Sequence, residues 1–348
     1  QRLVGNMTVT NDWPARQNRK TRPDVAQLAG VSQQTVSRAL NGSAHVSKQT
    51  IERVSNTVAK LEYRRNAAAR ALATHRSMRF GAVSFGISQF APATVLFSIV
   101  RAAQQRGYST TLVSFEGVQL ASLHAAIDEL LDENFDGMVI FASISGAAFF
   151  VDMMADKLPM VWFEPGLENG TASVSVDEVT GARIATRHLL ELGHKSVWHV
   201  AGPDGWLGNE TRILGWRDEL AAAGISALAP LFGDWRAESG FETGSKLADI
   251  EDVTTVFVAN DQMALGLIKA LESLKFRAPE NISVVGFDDF PEAQYFEPVL
   301  TTVKLDFLGM GQRCVDRLLD LIAKYQLTPQ LAVPPELIVR GCTSSVSH

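Results

Sequence analysis

The chain has 348 residues, 46% of them hydrophobic and 20% charged, enough for two or three domains with sizeable cores in an ordinary globular protein. No apolar run approaches the roughly 18 to 20 residues of a membrane-spanning helix and the amino terminus has no signal-peptide pattern, so the expectation is a cytoplasmic protein rather than a membrane or exported one. The net charge of −6 hides a division: fourteen Lys and Arg face four acids through Arg79, a net +10, whereas eighteen face thirty-four beyond it, a net −16, so only the basic head is suited to approach nucleic acid.

Residues 1–20 lack apolar periodicity and end in Arg16, Arg19 and Lys20; they read as a flexible arm, with Met7 a candidate natural start. A headpiece over residues 21–64 follows. In DVAQLAGVSQQTVSRALNG (24–42), Val25, Ala26, Leu28 and Ala29 recur at helical spacing until Gly30 breaks the helix. Ser32 is placed to cap a second helix carrying Val36, Ala39 and Leu40 inward, and Asn41-Gly42 closes it. Two short helices around a glycine turn make a helix-turn-helix. The outer face of the second helix offers Ser32, Gln33, Gln34, Thr35, Ser37, Arg38 and Asn41, side chains able to bond base edges and phosphates. Ser47 then caps a third helix with Ile51, Val54, Val58 and Leu61 on one face.

The strings DVA, AGVS, TVSR and LNG in this stretch resemble the DNA-reading headpiece of the LacI/GalR family of transcriptional repressors. The resemblance gives a meaning to residues 65–78, an alanine-rich segment too short to be a stable helix alone. In that family the segment is a hinge helix that folds on the operator, and the matching residues are Asn66, Ala69, Arg70 and Leu72, with Leu72 the side chain that would wedge into the minor groove. Arg65 stands where many members have proline.

From residue 79 to 348 short apolar runs alternate with helices. Strands are predicted at 80–85, 109–115, 137–141, 159–163, 196–201, 254–259 and 282–287, with helices such as 95–106, 120–134, 178–192 and 260–274 between them. Alternation of this kind implies parallel sheets with right-handed crossovers, here too many for one sheet. The expected architecture is α/β: two doubly wound subdomains around a cleft, as in periplasmic sugar-binding proteins, one of about 79–176 and 304–334, the other of about 177–303 and 335–341. Ligands of such sheets sit at the carboxyl ends of the strands.

Those ends carry Phe90-Ala91-Pro92, Glu164, Arg212, Trp235, Asn260-Asp261 and Asp288-Asp289. Polar clamps for hydroxyls beside an aromatic plane are the equipment of a carbohydrate site. Asp261 reads as a cap for the next helix rather than a ligand contact. The strings FAPATV (90–95), GDW (233–235), ANDQMALG (259–266), ISVVGFDD (282–289) and LTTVKLDF (300–307) extend the family resemblance to about residues 21–340. By position it implies a galactoside-type effector held by Arg212, Asn260 and Asp288, with Ala91, Pro92, Val95, Trp235, Phe307 and Met310 on the apolar side. Glu164 stands where galactoside-binding members have aspartate, and Phe141 where they have a hydroxyl-binding asparagine; Trp206 is an added aromatic nearby.

The remaining expectations are negative or quaternary. GxSxG, HExxH, Walker and GxGxxG patterns do not occur, so no enzyme is expected, and no cofactor. Cys314 and Cys342 are too few and too far apart for a metal motif. Partners are expected to be palindromic operator DNA, a small sugar and a second copy of the chain; without leucine heptads after Arg340, a homodimer is expected. A transport-type sugar-binding protein shares the two-lobed fold but has no use for a DNA-reading head.

Overall fold

The structure is a computed structural model whose described residues are 20–40, 45–63, 71, 74, 76–117, 119–144, 146–147, 153–154, 157–165, 172–327 and 332–346. The chain divides into two compact units, Gln1–Ser77 and Met78–His348. Among the described residues no helix is long and apolar enough to cross a membrane.

In the first unit, α1 (Arg22–Ala29) starts at Thr21, whose backbone N–H and hydroxyl both donate to the Asp24 carboxylate, at 2.7 and 2.9 Å. It stops at Gly30, which takes the left-handed conformation (φ 62°) while Val31 N–H returns to the Ala26 carbonyl at 3.0 Å. The Ser32 hydroxyl accepts from Thr35 N–H at 3.1 Å and so starts α2 (Gln33–Leu40). Ser47 does the same for α3 (Lys48–Lys60) through Thr50 N–H at 3.3 Å. Val25, Ala26, Ala29, Val36, Ala39 and Val54 form the small core between the three helices. Leu28, one of the periodic positions of the first helix, instead lies half exposed. Residues 1–19, the Asn41-Gly42 cap and the hinge residues Arg65, Asn66, Ala69, Arg70 and Leu72 lie outside the described residues.

The second unit carries two sheets. The first, ordered β2-β1-β3-β4-β5, is fully parallel: β1 (Arg79–Phe85), β2 (Ser109–Phe115), β3 (Gly137–Phe141), β4 (Met160–Pro165) and β5 (Ser173–Val176). The helices α4 (Phe90–Gln105), α5 (Leu120–Leu131) and α10 (Phe307–Ile322) pack on it. The second sheet, ordered β11-β10-β9-β8-β6-β7, holds β6 (Trp198–Ala201), β7 (Leu231–Phe232), β8 (Thr255–Val258), β9 (Ser283–Asp288) and β10 (Thr301–Lys304) in parallel, with β11 (Glu336–Ile338) antiparallel at the edge. Around it lie α6 (Glu178–Glu191), α7 (Leu207–Ala222), α8 (Ala237–Ala248) and α9 (Asp261–Ser273). The chain passes from the first sheet to the second after β5 and returns after β10, so the strand ends of both sheets face one cleft.

Several sequence expectations are corrected here. α4 starts at Phe90, five residues before the expected 95, because Pro92 falls in the first turn, where its missing N–H is harmless. β5, β7, β10 and β11 were not expected: β5 and β10 are short four-residue segments rich in Ser and Thr, and β7 has only two residues. Asn260, not Asp261, caps α9: its side-chain oxygen accepts from Met263 N–H at 2.9 Å. Asp261 is fully buried and ties α9 to the sheet, accepting from the Thr302 hydroxyl at 2.6 Å and from Phe290 N–H at 2.8 Å.

Candidate effector site and DNA-reading face

The strand ends of the second unit enclose a cavity of about 60 Å³ with two unlike walls. One wall is polar and stands on the second sheet. Arg212, one turn into α7, is buried; its guanidinium donates to the Ala259 carbonyl, to Glu178 Oε1 at 3.0 Å and to Asp288 Oδ1 at 3.5 Å. Glu178, first residue of α6, also accepts from the Thr211 hydroxyl at 2.9 Å. The Arg212 carbon lies 4.2 Å above the Phe287 ring and 5.4 Å from the Trp235 ring, and its Nε has no partner among the described residues. Asn260 Nδ2 donates to the Trp235 carbonyl at 3.0 Å, which leaves one amide hydrogen for a ligand.

The charges in this wall constrain one another. Burial would lower the Arg212 pKa, but the Glu178 and Asp288 carboxylates outweigh it and raise it. Burial pushes the Asp288 carboxyl up to about 7, against the pull of Arg212 and with the repulsion of Glu178. Asp261 behind it is raised well above the usual carboxylate range, again by burial first. The backbone is strained at the same place: Trp235 (φ 74°), Asp288 (φ 104°) and Asp289 (φ 50°) occupy the region that favours glycine. Arg340 holds Asp289 with a 2.6 Å ion pair, and Gly202 gives the Trp235 ring room, since a Cβ there would fall on the indole.

The other wall is aromatic and stands on the first sheet. Phe163 and Phe141 stack at 4.5 Å, Phe141 and Phe85 at 5.6 Å, and the Trp206 indole from the start of α7 covers Phe85 at 3.9 Å. Phe90, Ala91, Pro92 and Phe307 complete it.

Of the residues singled out from the sequence, Ala91, Pro92, Phe141, Arg212, Trp235, Asn260, Asp288 and Phe307 line this cavity, and so does Trp206. Val95 does not, nor does Met310: both are fully buried in the core. With α4 starting at Phe90, its first turn turns to the cleft and Val95 points under it. Glu164 is the last residue but one of β4, and its side chain lies outside the described residues. Sequence reasoning missed Glu178, Ser143 and Gly208, and it also missed Phe85 and Phe163, which it had counted as strand. Asp177-Glu178 follows the strand SVSV, so the strand-end rule would have found Glu178 had that strand been recognised.

On the first unit, Ser32, Gln33, Gln34 and Arg38 are exposed and Thr35 and Ser37 half-buried, all along α2, while Val36 and Ala39 face the core. An exposed row of amide and guanidinium groups on a helix held by its opposite side is what reading of base edges requires.

Comparison with known proteins agrees with both halves. Residues 22–66 match the bacterial regulatory proteins of the lacI family, and residues 186–343 match the periplasmic binding protein-like domain. The lactose operon repressor of Escherichia coli (strain K12) is 34% identical over 322 residues, covering 92% of this chain and 89% of that protein. The HTH-type transcriptional regulator CelR of Thermobifida fusca is 32% identical over 346 residues, covering 93% and 98%. Among solved structures, a lac repressor dimer bound to operator and the anti-inducer ONPF superimposes with a TM-score of 0.87 at 33% identity, covering 93% of this chain and 99% of that one. A CelR–cellobiose complex gives 0.68 at 28% identity, covering 93% and 100%. These relatives are repressors and regulators, not enzymes. The chain is a DNA-binding transcriptional repressor of the lacI family.

Proposed function

We propose that the protein holds a palindromic operator as a homodimer and releases it when a neutral, galactose-containing sugar fills the cleft of the second unit. The observation that carries this reading is the polar wall. One guanidinium donates to two carboxyl groups at 3.0 and 3.5 Å, and a side-chain amide bonded at 3.0 Å to the Trp235 carbonyl lines the same cavity, across from rings. With its one cation already shared between two carboxyl groups, the wall has no positive charge left over for an anionic ligand, so phosphorylated sugars and nucleotides are disfavoured. Carboxylates, an amide and an arginine suit a ligand that both donates and accepts through hydroxyls.

At the DNA end, Gln33, Gln34 and Arg38 read the major groove, Ser32, Thr35, Ser37 and Asn41 anchor phosphates, and Asn66, Ala69 and Leu72 serve as the minor-groove hinge. A dimer matches the palindrome. Supporting it, β2 is an edge strand with Leu112 exposed, and Phe97 on α4 is 60% exposed. A second reading, the same repressor answering to a different neutral sugar, is favoured by one observation: Phe141 offers the ligand a ring stacked on Phe163 and no hydrogen-bonding group. The experiment is an operator selected from random duplexes, followed by fluorescence anisotropy of the complex against galactose, methyl galactoside, glucose and their phosphates. Release by a galactoside alone supports the first reading, and release by glucose alone the second. Release by a phosphosugar but by no neutral one defeats both.

A further inference from the structure

The polar wall of the cleft ends in a stretch of backbone that would not keep its shape unaided. Asp288 closes β9 at φ 104° and Asp289 follows at φ 50°, two consecutive residues with a Cβ in the region that favours glycine. Such strain persists only where neighbouring groups fix the chain. On one side the fixing group is Asp261 of α9, which accepts from Phe290 N–H at 2.8 Å. Gly286 leaves room for that carboxylate, since a Cβ there would fall on it. On the other side stands Arg340, two residues beyond β11. Its guanidinium donates to Asp289 Oδ1 at 2.6 Å and to the Leu300 carbonyl at 2.9 Å, and its backbone N–H donates to the Thr301 hydroxyl at 2.9 Å. Gly341 N–H adds a bond to the Val299 carbonyl at 2.9 Å.

These bonds join the two ends of one loop. Asp289 leaves β9 and Leu300 precedes β10, so Arg340 closes the base of the loop between them. The start of that loop is what faces the cleft. Asp288 lines the cavity and accepts from Arg212 at 3.5 Å, and the Phe290 ring meets Phe90 of the opposite lobe edge-on at 5.8 Å. Arg340 is not among the residues that line the cavity. Its ion pair with Asp289 is largely shielded, the two side chains being 19% and 18% exposed, so solvent screens it less than a surface pair. Without that pair the backbone at Asp289 is free to relax. Relaxation there swings the adjoining Asp288 carboxyl, and hydrogen bonds weaken steeply once their geometry departs from ideal.

We propose that Arg340 is a positioning residue for the effector: by pinning Asp289 it holds the Asp288 carboxyl in its strained orientation beside Arg212, ready for the ligand. The proposal rests on the reading of the cleft as a sugar site and adds to it a residue that the sugar never touches.

The test is isothermal titration of the full chain with galactose, methyl galactoside and glucose, the tightest of the three then being carried through variants shown by their melting transitions to be folded. Arg340→Met is expected to weaken binding at least about tenfold, and Arg340→Lys, which restores the ion pair, to stay within about threefold of the unaltered chain. Asp289→Gly removes the same ion pair while easing the backbone, because glycine takes a φ of 50° freely. It is expected to lose as much affinity as Arg340→Met, and the double variant no more than either single one, since both remove one interaction. Where Arg340→Met does not fold, Asp289→Gly and Arg340→Lys carry the comparison. Affinity kept in Asp289→Gly or in a folded Arg340→Met overturns the proposal. So do losses that add in the double variant, and a lysine variant as weak as the methionine one. Binding of none of the three sugars by the unaltered chain overturns the sugar reading of the cleft, and this role of Arg340 falls with it; sugar binding indifferent to the variants overturns the role alone.

Discussion

Arg212 is at once the residue that organises the ligand site and a buried charge whose loss the fold feels. Removing it leaves Glu178 and Asp288 facing each other without a counter-ion, and breaking a buried pair in this way costs about 3 to 5 kcal/mol. Arg212→Ala is therefore expected to lower the urea midpoint markedly as well as to abolish sugar binding. Arg212→Lys keeps the charge but not the fork that reaches two partners, so it should fold while losing sugar affinity. An alanine variant as stable as the unaltered protein would mean that the three groups are not coupled. A second buried group weakens the fold in acid. His199 is held neutral between Phe257 and Trp216, its Nδ1–H donating to the Phe257 carbonyl at 2.9 Å. Burial pushes its pKa down to about 3 from an ordinary 6.5. The unfolded chain then takes up a proton below pH 6.5 that the folded chain refuses until about 3. The stability from this group is complete above 6.5 and drains away as pH falls toward 3, by about 4 to 5 kcal/mol in all. Comparing urea unfolding at pH 7 and 4 should show a smaller loss in His199→Phe than in the unaltered chain. Equal losses would remove His199 from the account.

At the scale of elements, three helix boundaries of the first unit show in the sequence, because glycine and hydroxyl caps act within three or four residues. Gly30, Ser32 and Ser47 each do in the structure what their chemistry announces. The strands that escaped notice were β5, β7, β10 and β11, whose few residues, several of them Ser and Thr, gain their burial from neighbours remote in sequence. The same distinction divides the site. Strand-end polar residues such as Arg212 and Asp288 were legible because an arginine or a paired aspartate after an apolar run is conspicuous. Phe85 and Phe163 were not, since a phenylalanine near the end of a strand reads as core until the cleft is known. Close approach of helices is likewise invisible locally. α8 and α9 touch through Gly240 and Gly266, and a Cβ on Gly266 would fall on the Ala237 carbonyl. Gly266→Ala is expected to destabilise by about 1 to 3 kcal/mol or more through forced separation of the two helices, measured by urea unfolding. A neutral result would show the pair can part freely. On α2 the expectation concerns DNA alone: Gln34→Ala should cost about 1 to 3 kcal/mol of operator affinity and relax the preference at one base pair per half-site, leaving stability intact because Gln34 is exposed. Uniform weakening across all sequences in a binding selection would reassign Gln34 to the phosphate backbone.

For the whole molecule the two functions have to be joined by free energy. The polar wall belongs to the second sheet and the aromatic wall to the first, so a ligand touching both fixes the angle between the lobes. Only a sugar that binds one lobe arrangement better than the other can alter operator affinity; one that binds both equally shifts nothing, however tightly. Every tenfold loss of DNA affinity needs about 1.4 kcal/mol of such differential binding. Linkage makes the demand reciprocal: operator DNA must weaken sugar binding by the same factor by which sugar weakens DNA binding. Trp235 and Trp206 both line the cavity, so intrinsic fluorescence should follow the sugar titration directly. Running that titration with and without saturating operator, beside an anisotropy titration of operator with and without saturating sugar, gives the two factors independently. Equal factors above one are expected. A sugar that quenches fluorescence but leaves both titrations unmoved by the other ligand would be a ligand without a regulatory role, and the effector would have to be sought among other neutral sugars.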